Sequence, residues 1–193
     1  MKKATIAITP ALILCLTGAV CSRTVMRTLY PHKYAESVEK YSAQYGVDEN
    51  LIYAVMRTES SFRTDANSEV GAAGLMQIMP ETFEWLCMRM NETADFTALY
   101  DPDTSIRFGT YLLHLLCEQF GDTRTALAAY HAGLGQVDRW LQDESLSPDG
   151  HTLQTIPFPD TAHYVRKVDR AMRIYQNLYA KNSLSINGGI NHE

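Results

Sequence analysis

The sequence predicts an all-α protein, and three observations support this fold class. Apolar residues recur at helical spacing in successive segments, as Val38, Tyr41 and Tyr45 do near the start. Aspartate or proline precedes several of these segments and glycine follows several, which is the usual asymmetry of helix ends. No stretch alternates apolar and polar residues convincingly as a strand would. The chain has 193 residues, 46% of them hydrophobic, which fits one folded domain.

The first 23 residues are predicted to be a targeting segment. Lys2 and Lys3 precede an apolar run over residues 4–21, which would extend about 27 Å as a helix. This length fits either a signal peptide or an uncleaved membrane anchor, and in the second case residues 4–21 contact the membrane. Residues 24–33 are predicted to be a linker, 34–180 the folded domain, and 181–193 a disordered tail.

Six helices are predicted within the domain. They begin and end near residues 34–45, 48–59, 80–90, 103–120, 122–133 and 161–180. Asp48 and Asp103 are expected to cap the second and fourth of them, and a short turn is expected over residues 135–141. Residues 91–102 and 142–160 are predicted loops. Gly109 falls inside the fourth helix, where glycine costs about 1 kcal/mol relative to alanine, so we expect a close helix crossing there.

Glu59 is the candidate catalytic residue. Its side chain shares one face of a predicted amphipathic helix with Ile52 and Met56, so the carboxyl group is expected to turn inward at the helix end. Burial disfavours the carboxylate and raises its pKa. A glutamic acid that stays protonated near neutral pH can act as a general acid. A lone glutamate at a helix end is more often solvated, so this interpretation depends on the stretch that follows.

The stretch after Glu59 is predicted to form one wall of a polar cleft. It contains short hydrogen-bonding side chains, including Ser68. Gly71 and Gly74 allow the backbone to pass close to another part of the molecule. Gln77 is the single amide within an apolar run. An acid at a helix end, a glycine-bearing loop and one amide among apolar residues together indicate a binding site.

Four sequence blocks resemble the catalytic domain of the soluble lytic transglycosylases, which is related to goose-type lysozyme. The first is ESSF, then ANS and GAAGLMQIMPET, within residues 59–82. The second contains DP at 101–102 and YL at 111–112, and the third is AYHAG at 129–133. The fourth contains PF at 157–158 and YV at 164–165. The blocks keep the family's order over roughly residues 34–180, which makes the resemblance more specific than any one block.

The resemblance implies a lysozyme-like helical fold and a reaction on peptidoglycan glycan strands. Members of this family cleave the bond between N-acetylmuramic acid (MurNAc) and N-acetylglucosamine (GlcNAc) and form a 1,6-anhydromuramyl end. Glu59 corresponds to the single catalytic acid and base. The implied substrate-binding positions are Ser68, Gln77, Met79, Tyr130, His131 and Tyr164. An intramolecular attack of this kind needs no second carboxylate to hold a water molecule.

Two positions depart from the family pattern. His131 stands where the family usually has asparagine, and a histidine is larger and titratable. The substitution leaves the detail of the muramyl subsite, and the pH optimum, open. Ser105 stands where the second block often has asparagine, and we expect it to be only a variation at the start of a helix.

Two other functions remain open at this point. The first is a hydrolytic muramidase with the same fold and acid but with water as nucleophile, for which Asp65, Glu69 and Asp101 are the candidate bases. The second is a catalytically silent peptidoglycan-binding domain, which the presence of Glu59 disfavours. Product analysis would separate the first alternative from a transglycosylase.

Composition limits the possible partners. The net charge is −5, and without residues 1–23 the chain keeps 14 basic and 22 acidic residues, a net charge of −8. This balance argues against nucleic acid, which requires a basic surface. The histidines have no spacing typical of metal ligands, so we expect no metal and no cofactor. The inferred substrate places the domain outside the cytoplasm, and we expect a monomer.

The cysteines leave one question open. Cys15 and Cys21 lie in the apolar segment, whereas Cys87 and Cys117 fall in two predicted helices. Cys87 and Cys117 could form a disulfide in an exported protein, or they could be two buried free thiols.

Overall fold

Helices account for nearly all regular structure in the computed structural model, which describes residues 23–180. Within residues 34–180 the α-helices are α1 (Ala35–Tyr45), α2 (Glu49–Glu59), α3 (Pro80–Met90), α4 (Pro102–Phe120), α5 (Thr123–Ala132), α6 (Leu134–Leu141) and α7 (Pro159–Tyr179). A short 3₁₀ helix, Phe96–Tyr100, lies between α3 and α4. The β-type pairs that the described residues form are isolated bridges of Ala73 with Asn67 and with Ile78. The predicted all-α class is confirmed.

Helix α2 lies in the hydrophobic core and is covered along most of its length. Asp48 caps it as predicted, because its carboxylate accepts a hydrogen bond from the Asn50 amide at 2.8 Å. The predicted inward residues Ile52, Val55 and Met56 are buried, and burial also extends to Leu51, Tyr53 and Ala54. A helix buried around so much of its surface is typical of the interior of a domain. Its most extensive packing is against α7, and this pair positions Glu59.

The segment predicted to be a linker instead packs against the domain. Residues 23–29 are helical. The His32 ring stacks on the rings of Tyr53 and Tyr179, with centroid distances of 4.2 and 3.5 Å. The Tyr179 hydroxyl donates a hydrogen bond to the Tyr30 carbonyl at 2.8 Å. These aromatic contacts fix the segment to α2 and α7, which a polar linker would not allow.

Two predicted terminal segments lie outside the described residues: most of the targeting segment, 1–22, and the tail, 181–193. Within residues 23–180 no helix combines the length and apolar composition needed to cross a membrane. Cys87 is buried and Cys117 half-buried, and both are free thiols.

Helix α4 begins one residue earlier than predicted, and its cap is a different aspartate. Asp101 accepts a hydrogen bond from the Thr104 amide at 2.8 Å and is the N-cap. Asp103 lies in the first turn, where its carboxylate accepts hydrogen bonds from Ser37 and Tyr41 at 2.7 and 2.6 Å. The predicted cap residue therefore joins α4 to α1.

Gly109 accommodates a loop side chain and not a neighbouring helix. A Cβ atom at this position would lie 2.3 Å from the sulfur of Met76 and 2.7 Å from its Cβ. The predicted close approach is present, but the partner belongs to the loop between α2 and α3. Glycine is needed here because the Met76 side chain occupies the space that a methyl group would fill.

The remaining boundaries follow the predictions with small differences. Helix α3 covers residues 80–90 as predicted, and α5 ends before Gly133. The predicted turn over 135–141 is an eight-residue helix, α6. Helix α7 begins at Pro159, two residues before the predicted start, since proline suits a first helical turn. Part of the predicted loop 91–102 is the 3₁₀ helix.

Candidate active site

Glu59 is the last residue of α2, at the point where the chain reverses direction. Ser60 follows as the C-cap, and its amide donates a hydrogen bond to the Met56 carbonyl at 3.1 Å. Ser61 and Phe62 have φ values of 53° and 64°, in the left-handed region that non-glycine residues rarely adopt. Two consecutive residues in this conformation turn the chain sharply away, which leaves the carboxyl group at the end of the buried helix.

The environment of Glu59 favours the protonated acid. Burial raises its pKa from 4.5 to about 7, and this effect outweighs the opposing influences of the Tyr164 hydroxyl and the Lys167 ammonium group. The predicted inward orientation and raised pKa are thus present in the structure. An acid with a pKa near 7 can both donate and recover a proton at neutral pH, as a general acid and base must.

Two tyrosines flank the acid. Tyr130, on α5, donates a hydrogen bond from its hydroxyl to the Met76 carbonyl at 2.7 Å. The Tyr164 hydroxyl, on α7, is buried beside Glu59, and the two side chains interact. Burial and the charge of Glu59 raise the pKa of both phenols well above the ordinary value. Both therefore remain neutral and available as hydrogen-bond donors or acceptors.

The loop between α2 and α3 is held together by its own polar groups. Gln77 has a φ of 48°, and its side-chain amide donates to the carbonyls of Ala66 and Gly74 at 3.0 and 2.9 Å. The Ser68 hydroxyl accepts a hydrogen bond from the Ala72 amide at 2.8 Å. Two predicted substrate-binding residues therefore make contacts that shape the loop.

Further anchors attach this loop to the core. The Ser60 hydroxyl donates to the Leu75 carbonyl at 2.9 Å, and the Met76 amide donates to the Ser105 hydroxyl at 3.3 Å. Ser105 is completely buried, so the expectation that it only varies a helix start was wrong. Gly74 is required because a Cβ atom there would lie 2.1 Å from the Leu99 carbonyl oxygen.

A largely apolar cavity of about 370 Å³ lies beside Tyr130. It opens between α3, α4 and the junction of α5 and α6. Its lining includes Thr82, Trp85, Leu112, Leu116, Tyr130 and Leu134. Met79, half-buried, is the N-cap of α3, three residues before Thr82. A cavity with a tryptophan and a tyrosine in its wall suits the apolar face of a sugar ring.

His131 follows Tyr130 on α5 and lies next to Tyr164. Its Nδ1 is 3.1 Å from the Thr161 hydroxyl, and its ring centroid is 4.6 Å from that of Tyr164. Burial lowers its pKa, while the nearby carboxylate of Asp160 acts in the opposite direction. The structure therefore brings Tyr130 and Tyr164 close to Glu59 and packs His131 against Tyr164, while Ser68 and Gln77 lie in the loop between α2 and α3.

No carboxylate in residues 23–180 is among the groups that shift the pKa of Glu59. Of the three candidate bases, Asp101 is the N-cap of α4, while Asp65 and Glu69 are exposed in the loop. The site thus contains one acid with a raised pKa and two neutral phenols. Sequence analysis did not identify Lys167, whose only signal is its position three residues after Tyr164.

Comparison with known proteins supplies the family. The sequence model described as the transglycosylase SLT domain matches residues 36–150. The chain belongs to this family. The soluble lytic murein transglycosylase of Salmonella typhimurium is 35% identical over 144 residues, which cover 72% of this chain and 22% of that protein. The chain therefore spans about a fifth of the length of this relative.

Solved structures of the family agree with the fold. The 70 kDa soluble lytic transglycosylase of Escherichia coli matches 81% of this chain and 26% of its own, with 30% identity and a TM-score of 0.73. Lytic transglycosylase Slt from Pseudomonas aeruginosa, solved as an inactive glutamate-to-glutamine mutant, matches 79% of this chain and 25% of its own, with 32% identity and a TM-score of 0.67. The lysozyme-like helical fold expected from the sequence is thus that of the SLT family.

Proposed function

We propose that the chain is a peptidoglycan lytic transglycosylase. It would cleave the β-1,4 bond between MurNAc and GlcNAc and release a 1,6-anhydromuramyl end. The observation that carries this proposal is Glu59, a half-buried acid whose pKa is raised to about 7 and is not influenced by a second carboxylate of residues 23–180. Membership of the SLT family and the names of the relatives support the same activity.

In the proposed reaction Glu59 first acts as an acid. It donates its proton to the glycosidic oxygen as the bond to the muramyl C1 breaks. The substrate's 2-acetamido group stabilises the positive charge that develops on the sugar. Glu59, now a carboxylate, accepts the proton of the muramyl 6-hydroxyl as that oxygen attacks C1, which restores the acid. Because the hydroxyl belongs to the same ring, proximity supplies much of the rate, up to about 7–11 kcal/mol in well-oriented cases.

The residues around Glu59 would position the glycan strand relative to the acid. The Tyr130 and Tyr164 hydroxyls would orient the acid and the scissile sugar, and the cavity beside Tyr130 would receive a neighbouring sugar. His131 would offer its exposed ring edge to the muramyl residue. Ser68 and Gln77 contribute by keeping the loop in shape, and Met79 contributes to the cleft wall.

The proposed substrate also sets the location. Peptidoglycan lies outside the cytoplasmic membrane, so we place the domain there, with residues 4–21 as signal peptide or anchor. We propose that the chain acts as a monomer on single glycan strands.

One experiment tests the activity against its alternatives. Purified peptidoglycan is digested with the full chain, and the soluble products are analysed by mass spectrometry. Muramyl ends lighter by one water than those of a lysozyme digest would support the transglycosylase. Reducing ends would favour a hydrolytic muramidase, and binding to the sacculi without soluble products would favour a silent binding domain.

A further inference from the structure

Lys167 belongs to the same row of residues on α7 as two side chains of the active site. Thr161, Tyr164 and Lys167 are spaced by three residues, so they lie beside one another along the helix. Thr161 contacts His131, and Tyr164 is next to Glu59. Lys167 continues this row towards solvent, where its side chain is exposed. The ammonium group is close enough to Glu59 for its charge to influence the carboxyl group.

Lys167 also differs from most cationic residues in having no partner of its own. Lys40, Arg107 and Arg173 form ion pairs with acidic residues. Other arginines stack on aromatic rings, as Arg57 does on Tyr30, or donate hydrogen bonds to carbonyl groups. Within residues 23–180 Lys167 makes no hydrogen bond or ion pair. Among the cationic residues of this part of the chain that form no hydrogen bond or ion pair, Lys167 is the one whose charge affects the pKa of Glu59.

A free cation at this position shifts Glu59 towards its carboxylate form. It lowers the pKa of Glu59 and so reduces the share of the protonated form that begins the proposed reaction. This effect disappears when an anion of the substrate neutralises the lysine. The glycan backbone is uncharged, but each muramyl residue carries either a stem peptide with free carboxylates or, once that peptide is removed, a free lactyl carboxylate.

We propose that Lys167 binds a carboxylate carried by the muramyl residue and so selects strands by their charged side groups. This inference rests on the proposed function, because the ligand is part of the same glycan strand. Bound substrate would neutralise Lys167 beside the acid, so the correct strand would also restore the protonated state of Glu59. A lysine–carboxylate contact at a partly exposed site is expected to change affinity about three- to tenfold.

Binding measurements with a non-cleaving protein test the proposal. The full chain carrying Glu59→Gln, with and without Lys167→Gln, is titrated calorimetrically with three kinds of glycan strand. The first retains stem peptides, the second is stripped to free lactyl carboxylates, and the third is stripped and its lactyl groups converted to neutral amides. Arg170→Gln is the control, since it removes a cation from the exposed surface of the same helix one turn further on.

The expected result is a three- to tenfold loss of affinity on Lys167→Gln that is confined to charged strands. A loss with peptide-bearing strands alone assigns the carboxylate to the stem, and a loss with stripped strands assigns it to the lactyl group. The proposal would be overturned if Lys167→Gln left the affinity for every strand unchanged. It would also be overturned if the variant lost as much affinity for the neutral strand as for the charged strands. Lys167→Arg should retain most of the affinity, and Arg170→Gln should change none of the three.

The two proposals fail in distinguishable ways. If the wild-type chain cleaves peptidoglycan but Lys167→Gln binds charged strands normally, only the role of Lys167 is wrong. If Glu59→Gln binds none of the strands and the wild type yields no soluble products, both proposals are wrong.

Discussion

At the scale of single residues, the site depends on placing one acid where its charged form is unfavourable. Within residues 23–180 Glu59 forms no ion pair, and the groups that oppose the rise of its pKa are the neutral phenol of Tyr164 and the exposed ammonium group of Lys167. Burial alone would raise the pKa further, and Tyr164 and Lys167 bring it back to about 7. The balance leaves comparable amounts of acid and carboxylate at neutral pH, which suits a residue that must change roles within one turnover.

Replacing Glu59 by glutamine should abolish turnover while preserving the fold. The amide keeps the shape of the side chain but cannot transfer a proton, and loss of general acid–base catalysis alone is expected to lower the rate by about 10²–10⁴-fold. Release of soluble muropeptides measures activity, and circular dichroism checks the fold. The matched control is Glu69→Gln, which changes an exposed acid of the adjacent loop and should leave activity unchanged. Near-normal activity of Glu59→Gln would contradict the assignment.

The pH dependence of activity should show an alkaline limb near pH 7. Only the protonated acid begins the reaction, so kcat/KM should fall as pH rises through the pKa of Glu59, which is about 7. His131 has a lowered pKa and should titrate on the acid side, so His131→Asn should leave the alkaline limb in place. The measurement is initial rate against pH for both proteins. A rate that stays constant from pH 5 to 9 would contradict a simple Glu59 acid.

The same pKa predicts how stability changes with pH. In the unfolded chain Glu59 titrates near 4.5, whereas in the folded protein it titrates near 7. The folded state therefore binds the proton more tightly, which adds to the free energy of unfolding. This added stability is fully present below pH 4.5 and is lost as pH rises through 7. As pH rises from 5 to 8, the free energy of unfolding of Glu59→Gln should increase by about 1–3 kcal/mol relative to that of wild type. Urea unfolding of both proteins at pH 5 and at pH 8 measures this change. If the two proteins differed by the same amount at both pH values, the raised pKa of Glu59 would be contradicted.

At the scale of elements, the loop between α2 and α3 is as much a part of the core as the helices. Met76 fills the space above Gly109, Tyr130 and Ser105 bind its backbone, and Gln77 closes the loop on itself. The position of the cleft wall relative to Glu59 is therefore set by side-chain packing against α4 and α5. A change in α4 should reach the active site through this loop.

Gly109→Ala should test this connection. The new methyl group would meet the Met76 side chain at 2.3 Å, so the loop must move or the helix must shift, at an expected loss of about 1–3 kcal/mol. Activity should fall together with stability, because the displaced loop carries the cleft wall. Gly135→Ala is the control, since its methyl group would meet only Arg139 at 3.9 Å in an ordinary helical position. Equal stability of Gly109→Ala and wild type in urea would contradict the packing argument.

The helices were predicted more accurately than the contacts between them, and the reason is physical. Helix ends depend on local signals, so the aspartates, prolines and glycines of the sequence were useful guides, and Asp48, Pro80 and Gly121 stand at the ends of helices. Pro102 suits the first helical position and was a local signal for Asp101 as the cap, which the prediction of Asp103 did not use. The partner of Gly109 depends on the path of a loop more than thirty residues away.

At the scale of the whole molecule, the site is assembled from separate parts of the chain. Glu59 comes from α2, Tyr130 and His131 from α5, and Tyr164 and Lys167 from α7. Sequence blocks identified the members that belong to the family pattern. Lys167 lies outside the pattern, and its proximity to Glu59 follows only from the packing of α7 on α2. The aromatic contacts of residues 30–32 could not be predicted for the same reason, since they depend on where Tyr53 and Tyr179 meet.

The fate of the muramyl C1 tests the arrangement as a whole. Because no carboxylate of residues 23–180 influences Glu59 or stands ready to activate water, the tethered 6-hydroxyl should reach C1 first. Digestion of sacculi in ¹⁸O-labelled water should therefore leave C1 unlabelled, and mass spectra should show anhydromuramyl ends. A lysozyme digest in the same water is the control and should incorporate the label. If most ends are labelled, water is the nucleophile, and substitution of Asp65, Glu69 and Asp101 in turn should then reveal the base that activates it.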